Sequence, residues 1–133
     1  MKKSVAFICV HNSCRSQMAE GWAKQLGKDV LEAYSAGTEN YPEVKPLAVK
    51  VMEEAGIDMS LHQPKLLSDI PEKVNIVITM GCNVNCPHLP CDQREDWGLE
   101  DPSGGPIESF RETRDIIKEK VEELITRIKN NEI

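Results

Sequence analysis

The sequence predicts an α/β fold in which a four-stranded parallel sheet is covered by helices on both faces, a three-layer α/β/α arrangement. Three observations carry that expectation. Residues 4–10 and 74–80 are short apolar runs with β-branched side chains, the composition of buried strands. Residues 16–26 and 107–129 instead repeat their apolar side chains at helical spacing. Strands and helices alternate along the chain, which implies right-handed crossovers and therefore parallel strands.

The 4–10 run is the first strand. Met18, Ala19, Trp22, Ala23 and Leu26 then fall three and four residues apart and Gly27 follows as a stop, so a helix is expected from Ser16 to that glycine. A second strand is expected at 30–35, ended by Ala36-Gly37. A second helix follows at 46–55, where Pro46 suits the first turn and Gly56 the end. Residues 74–80 form a central strand, 81–93 a cysteine- and proline-rich loop, and 95–99 a short edge strand. The last helix, 107–129, aligns Phe110, Ile117, Val121, Leu124 and Ile128 along one stripe that should cover one face of the sheet. No repeat or linker interrupts the pattern, so residues 1–133 are read as a single domain.

A net charge of -6 and a pI near 5.1 argue against nucleic-acid binding, which needs clustered Lys and Arg. No apolar run approaches the roughly 20 residues that span a bilayer, and the N-terminus lacks the pattern of a secretory signal, so no membrane partner and a cytoplasmic location are expected. The five cysteines are odd in number and bunched, which suits redox, catalytic or metal chemistry better than a disulfide framework.

In parallel sheets ligands sit beyond the carboxyl ends of the strands, which directs attention to 9–16, 81–91 and the loop after Leu99. The segment Cys9-Val10-His11-Asn12-Ser13-Cys14-Arg15-Ser16 joins the first strand to the first helix. Its backbone N–H groups and the helix N-terminus can converge on one tetrahedral anion, and Arg15 adds a planar fork for two oxygens. Cys9 stands at the lip of that cradle, where the same positive field favours a thiolate nucleophile. Asp101 could supply a proton to a departing oxygen from an adjacent loop, although Asp101-Pro102 alone also reads as a turn.

These residues resemble the signature loop of the low-molecular-weight tyrosine phosphatases and of the arsenate reductases that share their fold. The resemblance extends to Gln17-Met18-Ala19-Glu20-Gly21, Tyr34-Ser35-Ala36-Gly37 and Trp97-Gly98-Leu99-Glu100-Asp101-Pro102, and so covers nearly the whole chain. It implies that Cys9 is the nucleophile, Arg15 the oxyanion clamp, Asp101 the general acid, and Asn12 and Ser16 supports of the loop. The oxyanion is then held by residues Val10, His11, Asn12, Ser13, Cys14, Arg15 and Ser16. Some reductases of this type bind an alkali cation behind the loop; Asn12, Glu20 and Ser35 match that site, and Lys65 falls where a carboxylate is expected. A Lys ammonium could take the cation's place.

Two features separate reductase from phosphatase. The phosphatases carry aromatic walls just after Asp-Pro, whereas here Ser103-Gly104-Gly105-Pro106 follows, which suits a small inorganic anion. Cys82 and Cys86 then lie on the loop after the central strand. Arsenate held on Cys9 can be reduced if Cys82 attacks the Cys9 sulfur, expelling arsenite and leaving a disulfide, after which Cys86 attacks Cys82. Whether Cys86 or Cys91 ends the relay stays open, and Cys82, Cys86 and Cys91 with His88 could instead hold zinc.

The resemblance therefore implies an arsenate reductase; no cofactor or resident metal is expected, and a monomer is expected because the active loops must admit a protein partner. Its substrate would be arsenate, with phosphate or sulfate as analogues, and its disulfide would be recycled by thioredoxin or another thiol reductant. The alternatives are a low-molecular-weight protein tyrosine phosphatase and a non-enzymatic redox or zinc-binding module.

Overall fold

The computed structural model describes residues 2–39, 41–81 and 90–133. The expected four-stranded parallel sheet is present: β1 (Lys3–Cys9), β2 (Leu31–Gly37), β3 (Ile76–Thr79) and the wholly polar β4 (Gln93–Asp96) pair in the order β2-β1-β3-β4. β1 is central because every side chain from Val5 to Cys9 is buried, and alternate residues serve different cores. Val5, Phe7 and Cys9 face α1 (Arg15–Leu26) and α3 (Ile107–Lys129), whose Met18, Trp22, Phe110, Ile117 and Leu124 complete the larger core. α2 (Pro46–Glu54) packs on these two helices and adds Ala48, Val51 and Met52. The other face of β1, Ala6 and Ile8, is covered by a thinner layer: Ile70 and Val74, next to a single 3₁₀ turn at Leu67–Asp69.

Two boundaries differ from the sequence expectation. β2 runs on through Gly37, which pairs with Cys9, rather than stopping before Ala36. Gly37 is required by close approach, since a Cβ there would stand 2.6 Å from the Val10 carbonyl oxygen. The edge strand is Gln93–Asp96, not 95–99. Asp96 ends it by turning its carboxylate onto the Thr79 hydroxyl and the Gly81 N–H, and Trp97 drops into the core against Phe7 with ring centroids 5.6 Å apart. The apolar alternation of Trp97 and Leu99 therefore belongs to the irregular segment after β4, whose Trp97 and Leu99 are buried while Gly98 and Glu100 are exposed.

The chain leaves β1 for β2 on one side and returns to β3 on the other, so the sheet order reverses beside the C-terminal end of β1. Such a switch point opens a crevice, and Cys9 stands at its edge.

Candidate active site

A cavity of about 340 Å³ occupies this crevice, lined by Cys9, Val10, His11, Ser13, Cys14, Arg15, Tyr41, Lys45, Asp101 and Ser103. Asn12 and Ser16 are absent from that lining; both are fully buried and brace the loop from behind. Asn12 has φ +52°, a left-handed conformation that Asn tolerates better than most residues. Its side chain fixes that shape. Oδ1 accepts from the Lys65 backbone N–H at 2.8 Å and from Gln17 Nε2 at 2.8 Å, while Nδ2 donates to Ser16 Oγ at 2.8 Å.

Because the Lys65 N–H can only donate, the orientation of the Asn12 amide is settled, and the Ser16 hydroxyl is left to donate onward to Cys9 Sγ, 2.8 Å away. The Asn12 backbone N–H donates to the same sulfur at 3.1 Å. Two donors thus converge on Cys9 Sγ, the arrangement that stabilises an anionic sulfur. Cys14, four residues before Met18 in the same helix start, is a different thiol. Burial, reinforced by the charge of Asp101 and only partly offset by Arg15, pushes it up to about 12, so it stays protonated at neutral pH.

Behind Asn12 the network continues. Gln17 Nε2 donates to the carbonyls of Asn12 and Gln63, which turns Gln17 Oε1 toward His62 Nδ1 at 2.9 Å, so that ring nitrogen carries the proton. Burial holds His62 below its ordinary pKa, with Glu20 opposing. Lys65 Nζ lies 3.3 Å from Glu20 Oε1 and 3.4 Å from Ser35 Oγ, and Ser35 Oγ donates to Glu20 at 2.7 Å. Burial raises the Glu20 pKa but Lys65, Ser35 and Lys24 outweigh it, leaving a net lowering. The ammonium thus takes up two of the three side chains that match the alkali-cation site, Glu20 and Ser35, while Asn12 Oδ1 is bonded to the Lys65 backbone N–H and to Gln17 instead.

Arg15 is buried, and its Nη1 donates to the carbonyls of Met80 at 2.9 Å and Leu99 at 2.8 Å. Those carbonyls come from the ends of β3 and β4 and are brought together where Gly81, at φ +85°, meets Gly98; a Cβ on Gly81 would lie 2.6 Å from the Gly98 Cα. Arg15 Nη2 is 3.8 Å from Asp101 Oδ2. Burial pushes the half-exposed Asp101 up, but the Ser103 hydrogen bonds, Arg15 and Lys45 more than compensate, so it is a carboxylate when no anion is bound. An anion placed between Arg15 and Asp101 would offset the part of that lowering that comes from Arg15 and Lys45 and so ease protonation of Asp101, the direction a general acid needs.

Cys9, Arg15 and Asp101 are therefore brought to one cavity. Cys82, Cys86 and His88 lie outside the described residues, so neither the relay nor the zinc alternative is placed. Cys91 is half-buried against the smaller core beside Val77 and does not line the cavity. His11 stands at the rim, its Nε2 3.3 Å from Glu39 and its ring 4.7 Å from Tyr41. Sequence reasoning missed Tyr41 and Lys45. The signal available was position, because both follow β2 and the loops after strand ends form the site.

The chain matches the family model described as low molecular weight phosphotyrosine protein phosphatase over residues 4–133. It is 46% identical over 130 residues to an arsenate reductase of Staphylococcus aureus, covering 95% of this chain and 98% of that protein. It is similar to a solved arsenate reductase in the phosphate binding state, with a TM-score of 0.88, 44% identity, and coverage of 96% of this chain and 99% of that one. A thioredoxin-dependent arsenate reductase of Corynebacterium glutamicum aligns with a TM-score of 0.80 and 31% identity, over 98% of this chain and 63% of that one. The chain belongs to the low molecular weight phosphotyrosine protein phosphatase family, among its arsenate-reductase members.

Proposed function

We propose that this protein reduces arsenate to arsenite in the cytoplasm, acting as a single-domain monomer. The observation that carries the reading is Cys9 Sγ, held by two donors in a cavity that Arg15 and Asp101 also line. The Cys9 thiolate attacks arsenic, and an arsenate oxygen leaves as water, with Asp101 as proton source. Cys82 then attacks the Cys9 sulfur as a thiolate. The electron pair of the S–As bond stays on arsenic, which departs as arsenite, and a Cys9–Cys82 disulfide remains. Cys86 attacks Cys82 and returns Cys9 as a thiolate. The Cys82–Cys86 disulfide is reduced by an external thiol such as thioredoxin.

The test couples the protein to thioredoxin, thioredoxin reductase and NADPH. Arsenate-dependent NADPH oxidation supports the reading. Release of phosphate from an aryl ester with no arsenate-dependent oxidation supports a phosphatase instead. The second reading has one observation in its favour: Tyr41 supplies at the cavity mouth an aromatic wall that the segment after Asp101 lacks.

A further inference from the structure

An acidic chain must bind a doubly charged anion against its own field. The local cations therefore matter more than usual. Arg15 is one, but its Nη1 is already committed to two carbonyls and its Nη2 faces Asp101. Lys45 is the other cation of the cavity lining, and among the described residues no carboxylate lies within ion-pair distance of its Nζ. Nζ instead donates to the Tyr41 hydroxyl and stands 4.8 Å from the centre of that ring.

The backbone of Lys45 is fixed to the anion loop itself, because its N–H donates to the Ser13 carbonyl at 2.7 Å. The residue also sits immediately before Pro46, at the cap of α2, so its main chain is held from both sides. The side chain thus springs from a rigid point beside the cradle and ends in a charge resting on a neutral phenol. A neutral partner is cheaply exchanged for an anion, whereas a carboxylate partner would compete with one.

We infer that Lys45 is a second anchor for the oxyanion, resting on Tyr41 when the cavity is empty and moving its ammonium onto a bound tetrahedral anion. It sets affinity and takes no part in bond making, so its effect falls on KM and leaves kcat in place. The inference rests on the arsenate reading for its physiological substrate, but inorganic phosphate tests it independently of any redox activity.

Phosphate binding is measured by calorimetry for the reduced wild type, Lys45→Met, Lys45→Arg and Tyr41→Phe, alongside arsenate kinetics. Lys45→Met should weaken phosphate about tenfold, the scale of one charge-assisted hydrogen bond, and raise the arsenate KM by the same factor with kcat within about twofold. Lys45→Arg should restore most of the affinity. Tyr41→Phe, which removes only the resting partner, should bind phosphate at least as well as wild type. Unchanged phosphate affinity in a folded Lys45→Met overturns the inference, as does a loss in Tyr41→Phe equal to that in Lys45→Met. Absence of arsenate reduction in the wild type would defeat the functional reading while leaving the phosphate result to stand.

Discussion

At the residue scale the site separates two cysteines five positions apart in one loop. Cys9 receives two hydrogen bonds at sulfur, whereas Cys14 is buried and pushed up to about 12. Iodoacetamide at pH 8 should therefore label Cys9 and spare Cys14 in the folded protein, as read by peptide mass spectrometry. The raised pKa also has a stability sign. Between an unfolded value near 9.0 and about 12 the native state holds the proton more firmly, so stability is complete below that window and is lost as pH rises through it. Cys14→Ala should flatten this alkaline loss in urea titrations. Asp101 gives a second residue-scale prediction. Asp101→Asn should lower the rate on an aryl phosphate with a poor leaving group by about 10²–10⁴-fold, and do much less with a good one. Equal effects on both would leave Asp101 as a turn residue, the role its Asp-Pro sequence also suggests.

At the scale of elements, the loop 9–16 is only as well defined as the layer beneath it. Asn12, Gln17, His62, Glu20 and Lys65 link it to the 61–65 segment through a continuous set of hydrogen bonds and ion pairs. His62 is held below its ordinary value of 6.5 by burial, so the unfolded chain binds the extra proton first as pH falls. Its contribution to stability is complete above pH 6.5 and is lost as pH falls through the lower folded value. His62→Gln, which cannot take up that proton, should reduce the loss of stability between pH 7 and pH 5 measured by urea unfolding. Little of this layer was legible in the sequence. Lys65 and Glu20 could be paired only through the resemblance, and His62 looked like one of three scattered histidines because the bond to Gln17 spans 45 positions. The strands β1 and β3 and the helix α3 were legible because burial on both faces, or along one stripe, writes a direct apolar pattern. β4 was displaced because Trp97 and Leu99 alternate like a strand yet lie in an irregular segment that delivers the Leu99 carbonyl to Arg15.

For the whole molecule, sheet order decides where chemistry happens. The reversal beside β1 brings together the loops that follow all four strands: Cys9 and Arg15 after β1, Tyr41 and Lys45 after β2, the Met80 carbonyl after β3, and Asp101 after β4. The first and last of these were evident from motifs, while the second was not, since a Tyr and a Lys in an ordinary loop carry no pattern until the fold sets them opposite a nucleophile. This assembly accounts for attack on a tetrahedral anion, which a phosphatase and a reductase share. What makes it a reductase is a supply of thiols to Cys9, and the most direct test follows the sulfur. Cys86→Ser should complete one turnover with arsenate and then stop, and mass spectrometry of the unreduced protein should find a Cys9–Cys82 disulfide with one equivalent of arsenite released. Sustained multiple turnover in Cys86→Ser, or one turnover with Cys9 recovered as a free thiol, would contradict the relay.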